Sequence, residues 1–418
     1  MNERVYTFRD ARLRSLPLRL LNWLGAGSEN LGLRFPDLDP DALLGAAMAR
    51  TGLRDPGGAD FREALEHYSN SAEHDADLNT LGRLAVRNML VNALGNRLQV
   101  VDWIKQHPQA RDETIDAPWV IVGLPRTGTS LLSILLGLDP ECRPLLQWET
   151  ARPMPPADLA SAGEDSRIAA YGNDVKRLMQ LNPALAAMHP FGSMLAEECT
   201  AVFMYALRTI GMETIAFVPG YGRWLARADM TPAYAMHKQV LQALQSVLPT
   251  GRWVLKSPNH LWCLDSLLAA YPDARIIWMH RDPAAVVASL ASLNNAMQLP
   301  FARRHDPRRV ANYWADKLAD GIERASNFDA ARAPGWCRHV LYDDLLADPV
   351  ATVDAIYRHF GAAPPGVLHQ RRMRAWLQRR PQDVAGRHVY DERDFGWTRD
   401  DLRARYRDYR QRYAIPAS

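Results

Sequence analysis

The sequence predicts an α/β protein in which a parallel sheet is flanked by helices and preceded by a helical extension. From Trp119 onward, short apolar runs alternate with helical stretches, a pattern typical of βαβ units and a parallel sheet. Before that point, apolar residues recur at helical spacing between residues 84 and 101. We therefore predict an N-terminal α-helical extension over residues 1–116 and an α/β domain over residues 117–418.

Three apolar runs and one further candidate mark the predicted strands. They are residues 119–124, 253–256, 275–279 and 338–342. The helix after the second run is expected to be capped near Asn259. The helix after the third should begin at Asp282 and Pro283, because aspartate suits the N-cap and proline the first helical position. The same pair recurs at Asp348 and Pro349.

The N-terminal segment carries leucines on one predicted helical face. They are Leu13, Leu16, Leu20, Leu21 and Leu24. Such a face could suit a membrane surface or a partner, but packing on the body of the protein is the favoured interpretation.

Composition excludes several classes of protein. The chain has 418 residues, of which 47% are hydrophobic and 23% charged, and no apolar run reaches the roughly 18 residues that span a bilayer. A net charge of +3 gives no indication of a nucleic-acid partner. The four cysteines form no CxxC pair, so we expect neither disulfides nor a metal site. No secretory signal is recognisable, and we expect a cytoplasmic protein.

The segment GLPRTGTS, residues 123–130, has the spacing G-x-x-x-x-G-x-S and lies between a strand and an apolar helix. Backbone N–H groups and the helix dipole favour an anion at such a position. Thr127, Thr129 and Ser130 add hydroxyl donors, and Arg126 adds a cation. A plain strand-to-helix turn is the alternative. Thr129 stands where a triphosphate-binding loop needs a lysine.

PRTGTSLL resembles the 5′-phosphosulfate loop of sulfotransferases that use 3′-phosphoadenosine 5′-phosphosulfate (PAPS), especially the bacterial and tyrosylprotein-type branch. The resemblance implies a P-loop-like sulfotransferase fold and a set of donor-binding residues. From the loop these are Arg126, Thr127, Gly128, Thr129 and Ser130, with Arg126 also acting in catalysis.

The same family reads the 3′-phosphate with an arginine at a strand end and a serine eight residues later, as in Arg281 and Ser289. Ser289 lies seven residues after Asp282, which is close to two helical turns. Ser289 should therefore lie on roughly the same helix face as the helix start. Residues 385–397 resemble the family's G-x-H-x-Y and F-G stretch, which makes Arg387 a further phosphate-binding candidate. A surface arginine is the alternative there.

Lys256 ends a predicted strand, and the resemblance places such a lysine beside the bridging oxygen of the donor. Three residues compete for the role of general base. Cytosolic members carry a histidine two residues after the lysine, whereas here His260 is four residues after it. The tyrosylprotein branch uses a glutamate about twenty residues past the loop, which implies Glu149. We prefer Glu149, then His260, then Glu198.

These observations predict a sulfotransferase that moves a sulfuryl group from PAPS to a hydroxyl or phenol of a small-molecule acceptor by in-line displacement. No metal is expected. Two other functions stay open: a P-loop nucleotide kinase or triphosphatase, and a non-catalytic protein that binds PAPS or its diphosphate product. The identity of the acceptor and the oligomeric state do not follow from the sequence.

Overall fold

The computed structural model describes residues 5–11, 15–29, 34–158, 163–182, 184–188, 190–379 and 387–417. Its strands are β1 Val5–Tyr6, β2 Trp119–Gly123, β3 Cys142–Pro144, β4 Arg252–Lys256, β5 Arg275–His280, β6 Cys337–Leu341 and β7 Arg387–His388. Five of them form one parallel sheet in the order β3-β4-β2-β5-β6, while β1 pairs in parallel with β7. The predicted α/β fold class is confirmed.

Helices surround this sheet. The α-helices are α1 Leu16–Glu29, α2 Pro40–Thr51, α3 Arg62–His74, α4 Thr80–Gln106, α5 Thr129–Gly137, α6 Gln147–Ala151, α7 Ser166–Leu181, α8 Ala184–Met188, α9 Cys199–Phe203, α10 Pro219–Leu225, α11 Thr231–Val247, α12 Leu264–Ala270, α13 Pro283–Gln298, α14 Pro307–Ala330, α15 Tyr342–Ala347, α16 Pro349–His359, α17 Val367–Arg379, α18 Arg399–Arg405 and α19 Arg407–Arg412. Short 3₁₀ helices span Phe8–Ala11, Pro108–Asp112, Met204–Ala206, Ile210–Glu213, Pro258–Trp262 and Glu392–Phe395.

The four predicted strands of the central sheet are all present. Every residue of β2 is buried, because helices cover both faces of a parallel sheet. Sequence analysis missed β3, an edge strand of three residues, Cys-Arg-Pro. Proline and a charged residue are tolerated at a sheet edge but give no apolar run that would reveal a strand.

Helix starts follow the local sequence signals closely. Asp282 caps α13, its side chain accepting a hydrogen bond from Ala284 N, and Asp348 caps α16 in the same way. The expected cap near Asn259 is wrong. Ser257 caps the 3₁₀ helix instead, its hydroxyl accepting from Asn259 N at 3.0 Å. The Asn259 side chain accepts from Ile210 N at 2.9 Å and thereby joins two 3₁₀ helices.

The N-terminal helices pack onto the α/β part rather than standing apart from it. Buried side chains of α4 belong to one apolar core together with side chains of α11 and of strands β2 and β4. Leu94 and Leu98 of α4 share this core with Phe203 and Val240. The division at residue 116 stays a prediction, since apolar side chains on both sides of it are buried together.

Helix α1 differs from expectation. Leu16, Leu20 and Leu24 are more than half exposed, together with Trp23 at 71%. Packing of this leucine face on the protein's own body is therefore wrong for these three residues, while Leu13 lies outside the described residues. In the described ranges, no helix combines the length and apolar character needed to cross a bilayer.

Candidate active site

The loop after β2 bends sharply before α5 begins at Thr129. Gly123 and Gly128 have φ values of 153° and 86°, and Arg126 has a φ of 69°, all in the region that favours glycine. A Cβ atom on Gly128 would lie 2.7 Å from the Tyr342 ring, so the ring also requires glycine there. The Thr127 hydroxyl donates to Leu124 O at 2.7 Å and holds the bend.

The start of α5 is open to an anion. Gly128 is its N-cap residue and provides no side-chain hydrogen bond, which leaves the first N–H groups of the helix available. Thr129 and Ser130 occupy its first two positions, and within the described residues neither hydroxyl has a protein partner. Thr129 and Ser130 are thus arranged as hydroxyl donors at a helix start, whereas the hydroxyl of Thr127, also predicted as a donor, bonds within the loop.

Arg126, Arg281 and Ser289 converge beside this loop. The Arg126 Nε donates to Ser289 Oγ at 3.1 Å, and the Arg281 Nη1 donates to the carbonyl oxygen of Arg126 at 2.8 Å. The guanidinium of Arg281 also lies 4.2 Å from the centre of the Tyr342 ring. Residues far apart in sequence are therefore brought together at the ends of β2 and β5.

Two arginines in contact need an explanation. Burial, with the nearby charge of Arg281, lowers the pKa of Arg126. Among the described residues, no carboxylate forms an ion pair with either arginine, and the Nε of Arg281 is buried without a hydrogen-bond partner. Both arginines are half-buried, and a partly desolvated cation without a counter-charge is costly, so this arrangement favours binding of an anion.

The C-terminal segment closes one side of the cluster. His388 Nε2 is 2.8 Å from the hydroxyl of Ser292 on α13, one helical turn after Ser289. Burial and the charge of Arg126 lower the pKa of His388 to about 4, so its ring is neutral at pH 7. The side chain of Arg387 lies outside the described residues, and its role as a phosphate ligand stays a prediction.

A second charged group lies on β4, the strand next to β2. Lys256 ends β4 opposite Ile121, its side chain is only 2% exposed, and its Nζ donates to Glu198 Oε1 at 3.0 Å. Glu197 accepts from the backbone N–H of Glu198 at 2.7 Å. Burial raises the pKa of Glu197 to about 7, although Lys256 opposes the rise. Two adjacent carboxyl groups, those of Glu197 and Glu198, therefore lie near one lysine.

The other two candidate bases have different surroundings. The carboxylate of Glu149, 3% exposed, accepts from Arg143 Nη2 at 2.6 Å and from Leu146 N at 3.3 Å. His260 is fully buried, and its Nδ1 is 2.7 Å from the hydroxyl of Tyr234. Burial lowers the pKa of His260 to about 3. Sequence reasoning overlooked Glu197, although the adjacent glutamates of AEECT were a visible signal.

Comparison with known proteins identifies the family. A sequence model of the sulfotransferase family matches residues 118–364. The crystal structure of sulfotransferase STF1 from Mycobacterium tuberculosis H37Rv is 31% identical and covers 88% of this chain, which in turn covers 97% of STF1, with a TM-score of 0.79. The crystal structure of sulfotransferase STF9 from Mycobacterium avium is 27% identical, with a TM-score of 0.83. It covers 91% of this chain, and this chain covers 98% of STF9. The chain belongs to the sulfotransferase family, which confirms the predicted resemblance.

Sequence relatives are more distant. The nodulation protein NoeE of Sinorhizobium fredii is 24% identical over 260 residues, which is 59% of this chain. The chain spans 51% of the length of NoeE, about half of that protein.

Proposed function

We propose that the chain transfers a sulfuryl group from PAPS to the hydroxyl of a small-molecule acceptor. The observation that carries the proposal is the pair of half-buried arginines, Arg126 and Arg281, which have no carboxylate partner among the described residues. Arg126 donates to Ser289 Oγ, and Arg281 donates to the carbonyl oxygen of Arg126. Arg281 and Ser289 would bind the 3′-phosphate, while residues 126–130 would bind the 5′-phosphosulfate. We also retain a cytoplasmic location as a proposal, supported by four buried cysteines that form no disulfide.

The reaction needs three groups in line. The acceptor oxygen forms a bond to sulfur, the bond between sulfur and the bridging oxygen breaks, and the product diphosphate leaves. Lys256 would stabilise the negative charge that develops on that leaving oxygen. Its burial supports this role, because a cation shielded from water acts more strongly on a nearby charge.

For the general base we propose Glu198 in place of the sequence preference for Glu149. The carboxylate of Glu149 is held by Arg143 and by the start of its own helix. His260 is a weak base with a pKa of about 3. Glu198 already contacts Lys256, so it lies where the acceptor hydroxyl would approach the sulfur. When Lys256 turns to the leaving oxygen, the carboxylate of Glu198 can accept the acceptor's proton.

Two measurements test the proposal. Titration with 3′,5′-diphosphoadenosine should raise the melting temperature, adding about 2.7 kcal/mol at 100 times the dissociation constant. Transfer of labelled sulfate to a panel of alcohols and phenols should fall by about 10²- to 10³-fold in Lys256→Ala, with diphosphate binding retained. Lys176→Ala is the matched control, because Lys176 is exposed on α7.

The remaining functions give different results in the same assays. Tighter magnesium-dependent binding of ATP than of the diphosphate would favour a nucleotide kinase or triphosphatase. Normal diphosphate binding without transfer or donor hydrolysis would favour a non-catalytic binding protein. Full transfer activity in Lys256→Ala would contradict the role given to that lysine.

A further inference from the structure

A cluster of three side chains with sulfur, nitrogen and oxygen donors lies at the start of β6. This is the opposite end of the strand from Tyr342, which lies against Gly128 in the loop of residues 123–130, here called the donor loop. Cys337 and His339 point to one face of the sheet because they are two residues apart on a strand. Asp329 reaches them from the last turn of α14. Their donor atoms all lie within 4.8 Å of one another.

The spacing of these atoms matches a tetrahedral metal site. Zinc binds sulfur at about 2.3 Å, nitrogen at about 2.0 Å and carboxylate oxygen at about 2.1 Å, so tetrahedral angles imply edges of about 3.5 Å for sulfur to nitrogen and about 3.4 Å for nitrogen to oxygen. The Cys337 Sγ is 3.2 Å from His339 Nε2, and that nitrogen is 3.6 Å from Asp329 Oδ1. Small adjustments would place all three around one ion.

Hydrogen bonds hold the imidazole in the orientation that a ligand needs. His339 Nδ1 is 2.8 Å from His280 Nε2, and His280 Nδ1 is 2.8 Å from the hydroxyl of Tyr409. If each Nδ1 carries its ring proton, both bonds are satisfied and the lone pair of His339 Nε2 points toward Cys337 and Asp329. An outer hydrogen bond of this kind fixes the tautomer of metal-binding histidines.

The carboxylate of Asp329 is also held in place. Its Oδ2 accepts from the Tyr413 hydroxyl at 2.9 Å, and its Oδ1 accepts from Trp336 Nε1 at 2.8 Å. The guanidinium of Arg412, 38% exposed, lies 3.6 Å from Oδ2 and opposes a cation, but it has room to turn toward solvent.

We propose that Asp329, Cys337 and His339 form a zinc-binding site unrelated to the donor loop. On binding, sulfur, nitrogen and oxygen each bond to the ion, and the thiol proton passes to solvent. The fourth position would hold water on the side where His339 is 38% exposed. An ion at this site would link α14 to β6 and, through Tyr413, to the segment after α19, so its effect would be on stability rather than on sulfuryl transfer.

The test uses the full chain with Zn²⁺ and Co²⁺ as probes. We expect one Zn²⁺ per chain, a higher melting temperature, and a thiolate-to-cobalt charge-transfer band with Co²⁺. Cys337→Ser and Asp329→Asn should each weaken Zn²⁺ binding by about 100-fold or more, and Tyr413→Phe by about tenfold, because it removes only an orienting bond. Cys263→Ser is the matched control, since Cys263 is buried next to Tyr234 and Asn259.

The Co²⁺ band gives a readout that loss of stability alone would not reproduce. If Cys337→Ser folds, its Co²⁺ complex should lack the band, while Asp329→Asn should keep a weakened one. Binding of Zn²⁺ with unchanged affinity in folded Cys337→Ser, or the absence of binding in the unmodified chain, would overturn the proposal. Loss of the band in Cys263→Ser would also overturn it.

Discussion

The two halves of the candidate active site differ in whether their cationic side chains have a carboxylate partner. On the side of β2 and β5, Arg126 and Arg281 are half-buried next to each other with no carboxylate beside them in the described ranges. On β4, the buried Lys256 already has a carboxylate partner in Glu198. We therefore expect an anion to complete the first half, and the second half to exchange partners when substrates bind. Substitutions on the first half should therefore change donor affinity, and those on the second should change turnover.

The largest expected effect separates the candidate bases. Glu198→Gln should lower kcat by about 10²- to 10⁴-fold with little change in donor affinity, because the amide cannot accept the acceptor's proton. Glu149→Gln should keep most of its turnover and lose stability, since it weakens the ion pair with Arg143. Steady-state kinetics and melting curves of both variants measure this. The reverse pattern would restore Glu149 as the base.

Arg281→Ala should weaken diphosphate binding by about 10- to 100-fold, which matches one lost charge-assisted contact. The ligand-free protein should lose little stability, because removing one of two like charges offsets the lost hydrogen bond to Arg126 O. Calorimetric titration and thermal denaturation give the two numbers. Arg143→Ala is the contrasting variant: it leaves the buried Glu149 unpaired and should melt earlier with donor affinity retained.

Gly128→Ala should destabilise the protein and weaken donor binding together. Alanine at a φ of 86° costs roughly 1–2 kcal/mol, and its Cβ would meet the Tyr342 ring that packs on Arg281. Gly361→Ala is the control, because Gly361 has a φ of 65° but no atom near the added Cβ. The free energy of unfolding of the two variants should differ by the contribution of the ring. Equal losses of unfolding free energy in the two variants would mean that the Tyr342 ring can move aside at no measurable cost.

The smallest expected effect is that of Ser289→Ala. Its hydroxyl accepts one bond from Arg126 and would donate one to the 3′-phosphate, so diphosphate affinity should fall by about 0.5–1.5 kcal/mol, which is roughly 2- to 12-fold. Turnover at saturating donor should stay the same. A loss of kcat at saturating donor would mean that Ser289 also positions Arg126 for the chemical step.

Sequence reasoning succeeded where the signal is local. The strand, the loop of residues 123–130 and the start of α5 follow one another in the chain, so their geometry depends on a few neighbouring residues. Lys256 and Arg281 could be placed because each ends or follows a strand, and the ends of parallel strands meet at one edge of the sheet. The edge strand β3 left no such signal.

The sequence by itself determined the parallel α/β architecture, the loop of residues 123–130 before α5 and the resemblance to sulfotransferases, because these depend on periodicity and on short runs of residues. Only the tertiary structure decided the partners of the buried charges. Glu149 and Glu198 are the same residue type in the sequence, yet in the structure Glu149 pairs with Arg143 and Glu198 pairs with Lys256. The same holds for Asp329, Cys337 and His339, whose donors meet only when the last turn of α14 lies beside β6. Charge pairing depends on distance in space, and spacing along the chain does not fix that distance.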